Sequence, residues 1–529
     1  MLECRSFSHG GTASTVSSDF HINFVMKLRS WPLAVLLALF VAMVVIAHLC
    51  AVKAGWADFR DQHLGAAITY ARGSIELFKP VMTGFTATQT PSPQEFPIWQ
   101  TLAALAMKAF GPWWGWANVV SLLCFFSALW PLYRLALAYG NERRAWWTLI
   151  FFSAQPLNIL YAGCAGTDGF SISMAIWFLY FAHRTIRDGR PLDIAAATLF
   201  GIVAAISKLP FFMAAGIASF ILLLAEQPRN TVRWLQLAGI GAISGAVFFG
   251  WSHYCDTQYA LAEFPLVELR TSVNPYMRFW YFGDWHYRLT PGNWLKGGWR
   301  FIRILFGSTG FAGLLIAGIL IRKHTLAIAG LIGGFVTTLV FSHLVLHHSH
   351  YYLMFSASVA MLSAEAVTKL EETIPWRSFR WTFAGPMIAA IVLPLASIQG
   401  MLDSDFLLFG DPYKHTIAHL LQEHTVPADK LIIAGGGWGG ESLIMSDRLG
   451  LSVFDTALLE NPATLHRLKE LGYNKLVAIN ESPLFAAIEK TKPGGASRLR
   501  GSYDSELTPV TENWSVLFKN EDIIIKAIP

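Results

Sequence analysis

Four clusters of polar residues stand out in a chain whose other residues are mostly apolar. The chain has 529 residues, of which 54% are hydrophobic and 14% are charged. The clusters lie at 56–63, at 90–99, at 163–169 with the nearby segment 207–210, and at 347–352. Ionisable groups next to long apolar runs are costly to keep. We therefore treat these clusters as the places where chemistry could occur.

The first cluster contains two acids, an arginine and a histidine within eight residues. Its sequence is Trp-Ala-Asp-Phe-Arg-Asp-Gln-His, with the acids at Asp58 and Asp61 and the arginine at Arg60. A carboxylate can remove the proton of an attacking hydroxyl group, and a guanidinium group binds anions well. The alternative is the solvated start of a helix, because acids favour the first helical turn.

Two further acids each lie where a helix is expected to begin. Glu95 comes just before an apolar helix, and Asp168 lies in a Thr-Asp-Gly turn between two apolar runs. Either acid could be only the N-terminal cap of its helix. Lys208, in the sequence Ser-Lys-Leu-Pro, could bind a phosphate or pair with one of these acids.

The fourth cluster, His-His-Ser-His-Tyr-Tyr, joins two apolar runs. His347 and His350 could bind a divalent metal ion, with Glu95 as a further ligand. A turn rich in histidine and tyrosine is also an ordinary anchor at a membrane–water interface. Both interpretations stay open from the sequence.

Membrane-spanning helices must position these clusters. The mean hydropathy is +0.43, and the apolar residues form runs of about twenty, enough to cross about 30 Å of hydrocarbon. We predict an α-helical polytopic membrane protein with about eleven transmembrane helices. The predicted spans are 32–54, 115–138, 145–165, 168–185, 191–208, 211–226, 233–252, 301–321, 325–346, 351–368 and 380–399.

The distribution of lysine and arginine predicts the orientation of these spans. With Lys27 and Arg29 in the cytoplasm, every strongly basic short loop falls on that side. The outer loops 55–114 and 253–300, all four clusters and the C-terminal region then lie outside. An apolar helix at 97–111 is expected on the outer membrane surface or partly inserted, because a span there would invert every later loop.

The sequence divides into three parts. Residues 1–25 are polar and expected to be poorly ordered, and Met26 opens a segment typical of a signal anchor, with a cleaved signal peptide as the alternative. Residues 26–400 form the transmembrane domain. Residues 401–529 are predicted to form a small extracytoplasmic α/β domain, with strands at 430–434, 475–479 and 523–527. No pair of the five cysteines has metal-binding or redox spacing.

Several motifs occur in one order along the chain. They are the acid-bearing first outer loop, Trp-Gln-x-Leu-Ala-Ala-Leu-Ala-x-Lys-x-Phe-Gly at 99–111, Pro-Leu-Asn-Ile-Leu-Tyr-x(5)-Thr-Asp-Gly at 156–169, Ser-Lys-Leu-Pro at 207–210 and His-Tyr-Tyr-Leu at 350–353. This series resembles the polyprenyl-phosphate-dependent glycosyltransferases of the GT-C fold. The most similar branch contains protein mannosyltransferases, lipid A aminoarabinose transferases and rhizobial galacturonosyltransferases. None of these motifs specifies the sugar.

The resemblance implies a glycosyltransferase that uses a polyprenyl-phosphate sugar and inverts the anomeric carbon. It implies an inner-membrane location in a bacterium, with the N-terminus in the cytoplasm and the reaction on the periplasmic face. Asp61 is expected to be the catalytic base, with Asp58 as the alternate. The expected substrate-binding residues are Arg60, Glu95, Asp168, Lys208, His350 and Tyr352.

The expected acceptor belongs to the cell envelope and could be lipid A, a polysaccharide or a protein. No cofactor is certain, although a divalent metal ion is possible. The net charge of +5 is modest for a chain of this size and gives no reason to expect nucleic acid. The alternative function is a flippase or transporter of lipid-linked sugars. Transporters usually place charges near the middle of the bilayer and contain inverted repeats, whereas here the acids gather towards one face.

Overall fold

A computed structural model of the protein describes residue 32 and residues 35–45, 60–80, 95–261, 274–306, 318–320, 325–373, 412–434, 441–453, 461–479, 514–520 and 523–528. For Arg60, Asp61 and Gln62 it describes the backbone but not the side chains. Asp58 and the predicted span 380–399 lie outside the described residues.

The apolar runs of the first half of the chain form helices, since a helix satisfies its backbone hydrogen bonds internally in a lipid environment. These helices are α1 (Val35–Val45), α2 (Arg60–Arg72), α3 (Ile98–Phe110), α4 (Gly115–Ser127), α5 (Leu129–Ala138), α6 (Glu142–Ala154), α7 (Pro156–Gly163), α8 (Thr167–Arg187), α9 (Pro191–Ser207), α10 (Leu209–Glu226) and α11 (Thr231–Leu261).

Helices continue through the second half of the membrane region. They are α12 (Pro275–Phe282), α13 (Trp285–Leu289), α14 (Pro291–Phe306), α15 (Thr325–Val340), α16 (Ser342–His347), a 3₁₀ helix (Ser349–Phe355) and α17 (Ser356–Thr373).

Several predicted spans differ from the helices that form. The predicted span 325–346 is interrupted at Phe341, and 351–368 begins as the 3₁₀ helix. The predicted span 145–165 is not one helix, because the backbone is extended at Gln155 and Pro156, which cannot donate an amide hydrogen bond, starts a new helix. Helix α7 then meets α8 at 109°. The predicted span 233–252 lies within α11, which continues to Leu261 and so takes up the start of the predicted outer loop 253–300.

The protein is a multi-pass membrane protein by the length and composition of its helices. Within the described residues, three stretches are long and apolar enough to cross a membrane, namely Gly115–Ala138, Leu209–Glu226 and Thr231–Ala260. The bent pair α7 and α8 could form a fourth, and α1, α9 and α15 are shorter apolar helices. The total of about eleven spans stays a prediction.

Small residues allow the helices of the bundle to pack closely, as is usual in membranes. A Cβ atom at Gly333 in α15 would lie 2.2 Å from the carbonyl oxygen of Ala214 in α10, so only glycine fits there. Two ion pairs with buried carboxylates join other helices: Arg144 to Glu365 at 2.9 Å and Arg184 to Asp193 at 3.0 Å.

The C-terminal region forms a small α/β domain around a five-stranded sheet. Its elements are α18 (Pro412–His424), β1 (Lys430–Ala434), α19 (Glu441–Ser446), β2 (Leu449–Val453), α20 (Pro462–Glu470), β3 (Tyr473–Ile479), β4 (Val516–Lys519) and β5 (Ile523–Ala527). The strand order is β2-β1-β3-β5-β4, with β1 parallel to β2 and β3 and with β5 antiparallel to β3 and β4. The three predicted strands are confirmed, and β2 and β4 are additional.

Candidate active site at one end of the helical bundle

Asp168 is positioned by the turn between α7 and α8. The amide of Asn118 donates to the carbonyl oxygen of Gly163 at 2.6 Å and holds the end of α7. A Cβ atom at Gly169 would lie 2.6 Å from the carbonyl oxygen of Tyr161, so the turn requires glycine there. Asp168 consequently lies in the first turn of α8, where the helix dipole favours a negative charge.

Lys208 occupies the break between α9 and α10. Its backbone is extended, with φ −156° and ψ 101°, and Pro210 lies in the first turn of α10. The Lys208 ammonium group donates to the Asp168 carboxylate at 2.6 Å and lies 3.9 Å from the Glu95 carboxylate. The side chains of Lys208 and Asp168 are only 8% and 9% exposed. The break thus brings a buried cation to two acids.

Glu95 reaches this cation because its segment is tied to the end of α9. The backbone amide of Phe96 donates to the carbonyl oxygen of Ile206 at 3.0 Å, and the Phe96 ring packs edge-on against Trp251 at 4.9 Å between centroids. These contacts place Glu95, the residue before Phe96, beside Lys208.

His63 of α2 completes the side of the site next to Glu95. Its Nδ1 atom lies 3.4 Å from Glu95 Oε2 and 3.0 Å from Gln100 Nε2, and its Nε2 atom lies 3.4 Å from Thr167 Oγ1. The His63 side chain is buried. Burial lowers the pKa of His63, and the opposing influence of the Glu95 carboxylate is smaller. The imidazole is therefore neutral near pH 7.

The 3₁₀ helix closes the opposite side of the site. His350 Nε2 lies 4.0 Å from the Asp168 carboxylate, and the Lys208 ammonium group lies 5.3 Å from the centroid of the Tyr351 ring. Of the two adjacent tyrosines, Tyr351 is thus the one that contacts the cation. The Tyr352 hydroxyl group instead donates to the carbonyl oxygen of Gly297 in α14, at 3.2 Å.

No family model and no curated protein sequence matches this chain. Among solved structures, the chain is similar to ArnT from Cupriavidus metallidurans bound to undecaprenyl phosphate, with a TM-score of 0.61 and 12% identity over 93% of this chain and 97% of that one. The apo state of ArnT gives a TM-score of 0.59 and 12% identity over 93% and 98%. The apo oligosaccharyltransferase of Archaeoglobus fulgidus gives a TM-score of 0.49 and 12% identity over 87% and 71%.

The chain has the GT-C fold. The similarity to ArnT extends over nearly the whole of both chains, and it confirms the fold class that the sequence motifs predicted. At this level of identity a shared fold does not specify a shared substrate.

The GT-C fold brings together four of the residues singled out in the sequence. Glu95, Asp168, Lys208 and His350 form one ion-pair cluster, here called the Lys208 cluster. Asp61 belongs to α2, two residues before His63, but its side chain and that of Arg60 are outside the described part, as is the whole of Asp58. The catalytic roles of Asp61 and Asp58 therefore stay predictions.

Sequence reasoning left three contributors to the site unassigned. His63 belongs to the first polar cluster without an assigned role, Gln100 is the glutamine of the Trp-Gln motif, and Tyr351 precedes Tyr352, the predicted substrate-binding tyrosine. A signal was available for Gln100, because amides are uncommon on apolar helix faces and this one is buried. No local signal separates Tyr351 from Tyr352, since both are buried.

The Lys208 cluster does not fit a divalent metal ion. Where a cation would be expected between Asp168 and Glu95, the Lys208 ammonium group lies within ion-pair distance of both. His347 is not at this place, because its ring packs on His343 and Trp280 at 5.2 and 5.4 Å between centroids. Among the side chains that the structure describes, no group of three or more histidines, cysteines and acids is arranged to hold a metal.

Proposed function

We propose that the protein is a glycosyltransferase that moves a sugar from a polyprenyl phosphate to a hydroxyl group of a cell-envelope acceptor, with inversion at the anomeric carbon. The observation that supports this most is the buried Lys208 ammonium group, held between two carboxylates in a chain with the fold of ArnT. The ArnT structure contains undecaprenyl phosphate, a lipid phosphate of the kind that this proposal requires as leaving group.

Lys208 supplies the positive charge that the leaving phosphate needs. When the bond between the anomeric carbon and the phosphate oxygen breaks, the bonding electrons stay on the phosphate. A cation that is already fixed in place stabilises this charge without reorganising. The carboxylates of the Lys208 cluster outnumber its ammonium group, so Arg60 and His350 are proposed to add positive charge around the phosphate.

The attacking group is a hydroxyl of the acceptor, which approaches from the side opposite the phosphate. Its oxygen forms the new bond to the anomeric carbon, and its proton passes to a carboxylate within hydrogen-bond reach. We assign this role to Asp61, with Asp58 as the alternate. Glu95 and Asp168 orient the acceptor, and Tyr352 is retained as a substrate-binding residue.

The two ends of α8 support an outer location of the site. This helix has 21 residues and is about 30 Å long at 1.5 Å per residue, which matches the hydrocarbon core. Asp168 lies at its start, and Arg184 and Arg187 lie in its last turn. Basic residues concentrate on the cytoplasmic side. We therefore place the Lys208 cluster on the periplasmic face of the inner membrane, with the N-terminus inside.

The domain boundaries and the role of the C-terminal domain belong to the same proposal. We take 26–400 as the glycosyltransferase domain and 401–529 as an extracytoplasmic domain that recognises the acceptor or covers the site. An ion pair between Arg72 of α2 and Asp447 joins the two. The acceptor class could be lipid A, a polysaccharide or a protein.

Transfer of radiolabelled sugar in proteoliposomes tests the function. Wild type and Asp61→Asn are compared with a panel of polyprenyl-phosphate sugars and an envelope lipid extract. We expect transfer by wild type and a loss of at least a hundredfold in Asp61→Asn, with the protein still folded. Asp284→Asn is the matched control, because Asp284 is exposed and asparagine keeps the oxygen that caps α13. It should retain wild-type activity.

Two results would contradict the proposal. Wild type that moves lipid-linked sugar across the bilayer without transferring it would be a flippase. Full activity in both Asp61→Asn and Asp58→Asn would show that neither aspartate is the base, although the protein would still be a transferase.

A further inference from the structure

His63 is a buried imidazole that the proposed reaction does not use, although three separate elements contact it. Glu95 comes from the segment before α3, Gln100 from α3 itself and Thr167 from the start of α8. A buried imidazole needs a polar partner at each ring nitrogen whatever its role, so the chemical type of these partners decides what the ring can do.

The hydrogen bonds of the ring define its tautomer. A neutral imidazole has one donor nitrogen and one acceptor nitrogen. The Gln100 amide nitrogen lies 3.0 Å from Nδ1 and donates to it. The ring proton is then on Nε2 and faces the Thr167 hydroxyl oxygen at 3.4 Å. The low pKa of the buried ring is consistent with this neutral form.

This tautomer determines which oxygen of Glu95 is available to accept a hydrogen bond from a substrate. The unprotonated Nδ1 lies 3.4 Å from Glu95 Oε2, so two lone pairs face each other and no hydrogen bond forms. Within the described part of the chain, Glu95 Oε2 is buried and accepts no hydrogen bond. The other oxygen, Oε1, lies 3.9 Å from the Lys208 ammonium group. A buried carboxylate oxygen without a donor is costly, and an incoming hydroxyl group would supply that donor.

We propose that His63, together with Gln100, is a positioning residue that keeps Glu95 Oε2 directed to a hydroxyl group of the acceptor next to the attacking one. The attacking hydroxyl group then still gives its only proton to Asp61. This inference rests on the proposed function. It explains how the structure fits Glu95 to the acceptor role that the proposed function gives it.

Kinetics of sugar transfer in proteoliposomes test the inference, with kcat and both KM values measured for His63→Leu, Glu95→Gln and the double variant. A displacement of about 1 Å at a site of this kind costs about a hundredfold in rate. We expect His63→Leu to lower kcat ten- to a hundredfold with the donor KM changed less than twofold. In the Glu95→Gln background the same change should have no further effect, because His63 acts through Glu95.

Conservative variants separate positioning from packing. His63→Asn keeps a polar atom near the place of Nδ1, where Gln100 donates, whereas His63→Gln keeps one near the place of Nε2. We expect Asn to restore more of kcat than Gln does, and Gln100→Leu to resemble His63→Leu. His253→Leu is the matched control, because it replaces an exposed histidine.

The outcomes distinguish the inference from the function. If wild type transfers sugar but His63→Leu lowers kcat by the same factor with and without Glu95→Gln, the positioning role is wrong and the transferase function stands. The same holds if His63→Gln restores more of kcat than His63→Asn does. If wild type transfers no sugar, both fall. If His63→Leu does not fold, the kcat values of His63→Asn and His63→Gln decide whether His63 is a positioning residue.

Discussion

Replacing Lys208 by methionine should both destabilise the protein and abolish most of its activity. Methionine is similar in length to lysine but leaves the carboxylates of Asp168 and Glu95 without their cation. The pair is well shielded from water, with Lys208 8% and Asp168 9% exposed. Removing one partner of such a pair costs about 3–5 kcal/mol, because an uncompensated buried charge remains.

The double variant Lys208→Met/Asp168→Asn separates stability from catalysis. Neutral replacement of both partners of a buried pair is often harmless or stabilising by about 1–4 kcal/mol. We therefore expect the double variant to recover most of the stability lost in Lys208→Met. Activity should not recover, since loss of one group that stabilises developing charge costs about 10²–10³ in kcat.

Equilibrium unfolding in mixed micelles gives the free energies, and sugar transfer in proteoliposomes gives the rates. Lys108→Met is the matched control, because Lys108 is exposed and, among the described residues, its ammonium group donates to the backbone carbonyl oxygen of Gly73 and not to a carboxylate. A double variant as unstable as Lys208→Met would refute the ion-pair reasoning. Wild-type kcat in Lys208→Met would refute the role of Lys208 at the phosphate.

Two other predictions concern the turn before α8 and the C-terminal sheet. Gly169→Ala places a Cβ atom 2.6 Å from the backbone oxygen of Tyr161 and should destabilise the protein by about 1–3 kcal/mol. Gly216→Ala, with open space around its added Cβ atom, should be neutral or stabilising in the same unfolding assay. In the C-terminal domain, burial alone would raise the pKa of Asp429, but hydrogen bonds led by Lys475 hold that pKa below its ordinary value. The stability that the Asp429 carboxylate contributes to the folded domain is present above its unfolded-state pKa, and it is lost as the pH falls through its lower folded-state pKa. The protection factors of the backbone amides in β1 and β3, each taken relative to the intrinsic exchange rate at the same pH, should thus fall in acid for wild type and fall less for Asp429→Asn. An equal fall in both proteins would contradict that role.

The order of the helices was largely predictable because the bilayer imposes a simple rule on the sequence. Runs of about twenty apolar residues must form helices to satisfy their backbone, and α8 and α10 begin and end within two residues of the predicted spans. The predictions failed where single residues interrupt such runs. Pro156 divides one predicted span. Helix α11 continues beyond the predicted end of its span, because a helix has the same backbone geometry in water as in the membrane.

By itself, the sequence determined the types of residue at the site and the turns that hold them, since Thr-Asp-Gly and Ser-Lys-Leu-Pro are local patterns. Only the tertiary structure decided which groups meet. The contact of Lys208 with Asp168 joins residues 40 positions apart, and that of Gln100 with His63 joins residues 37 apart. Such pairs depend on how α2, α3, α8 and α9 pack, and the choice of Tyr351 over Tyr352 depends on the rotation of a 3₁₀ helix. Local sequence patterns do not encode either property, because both arise from packing between elements distant in the chain.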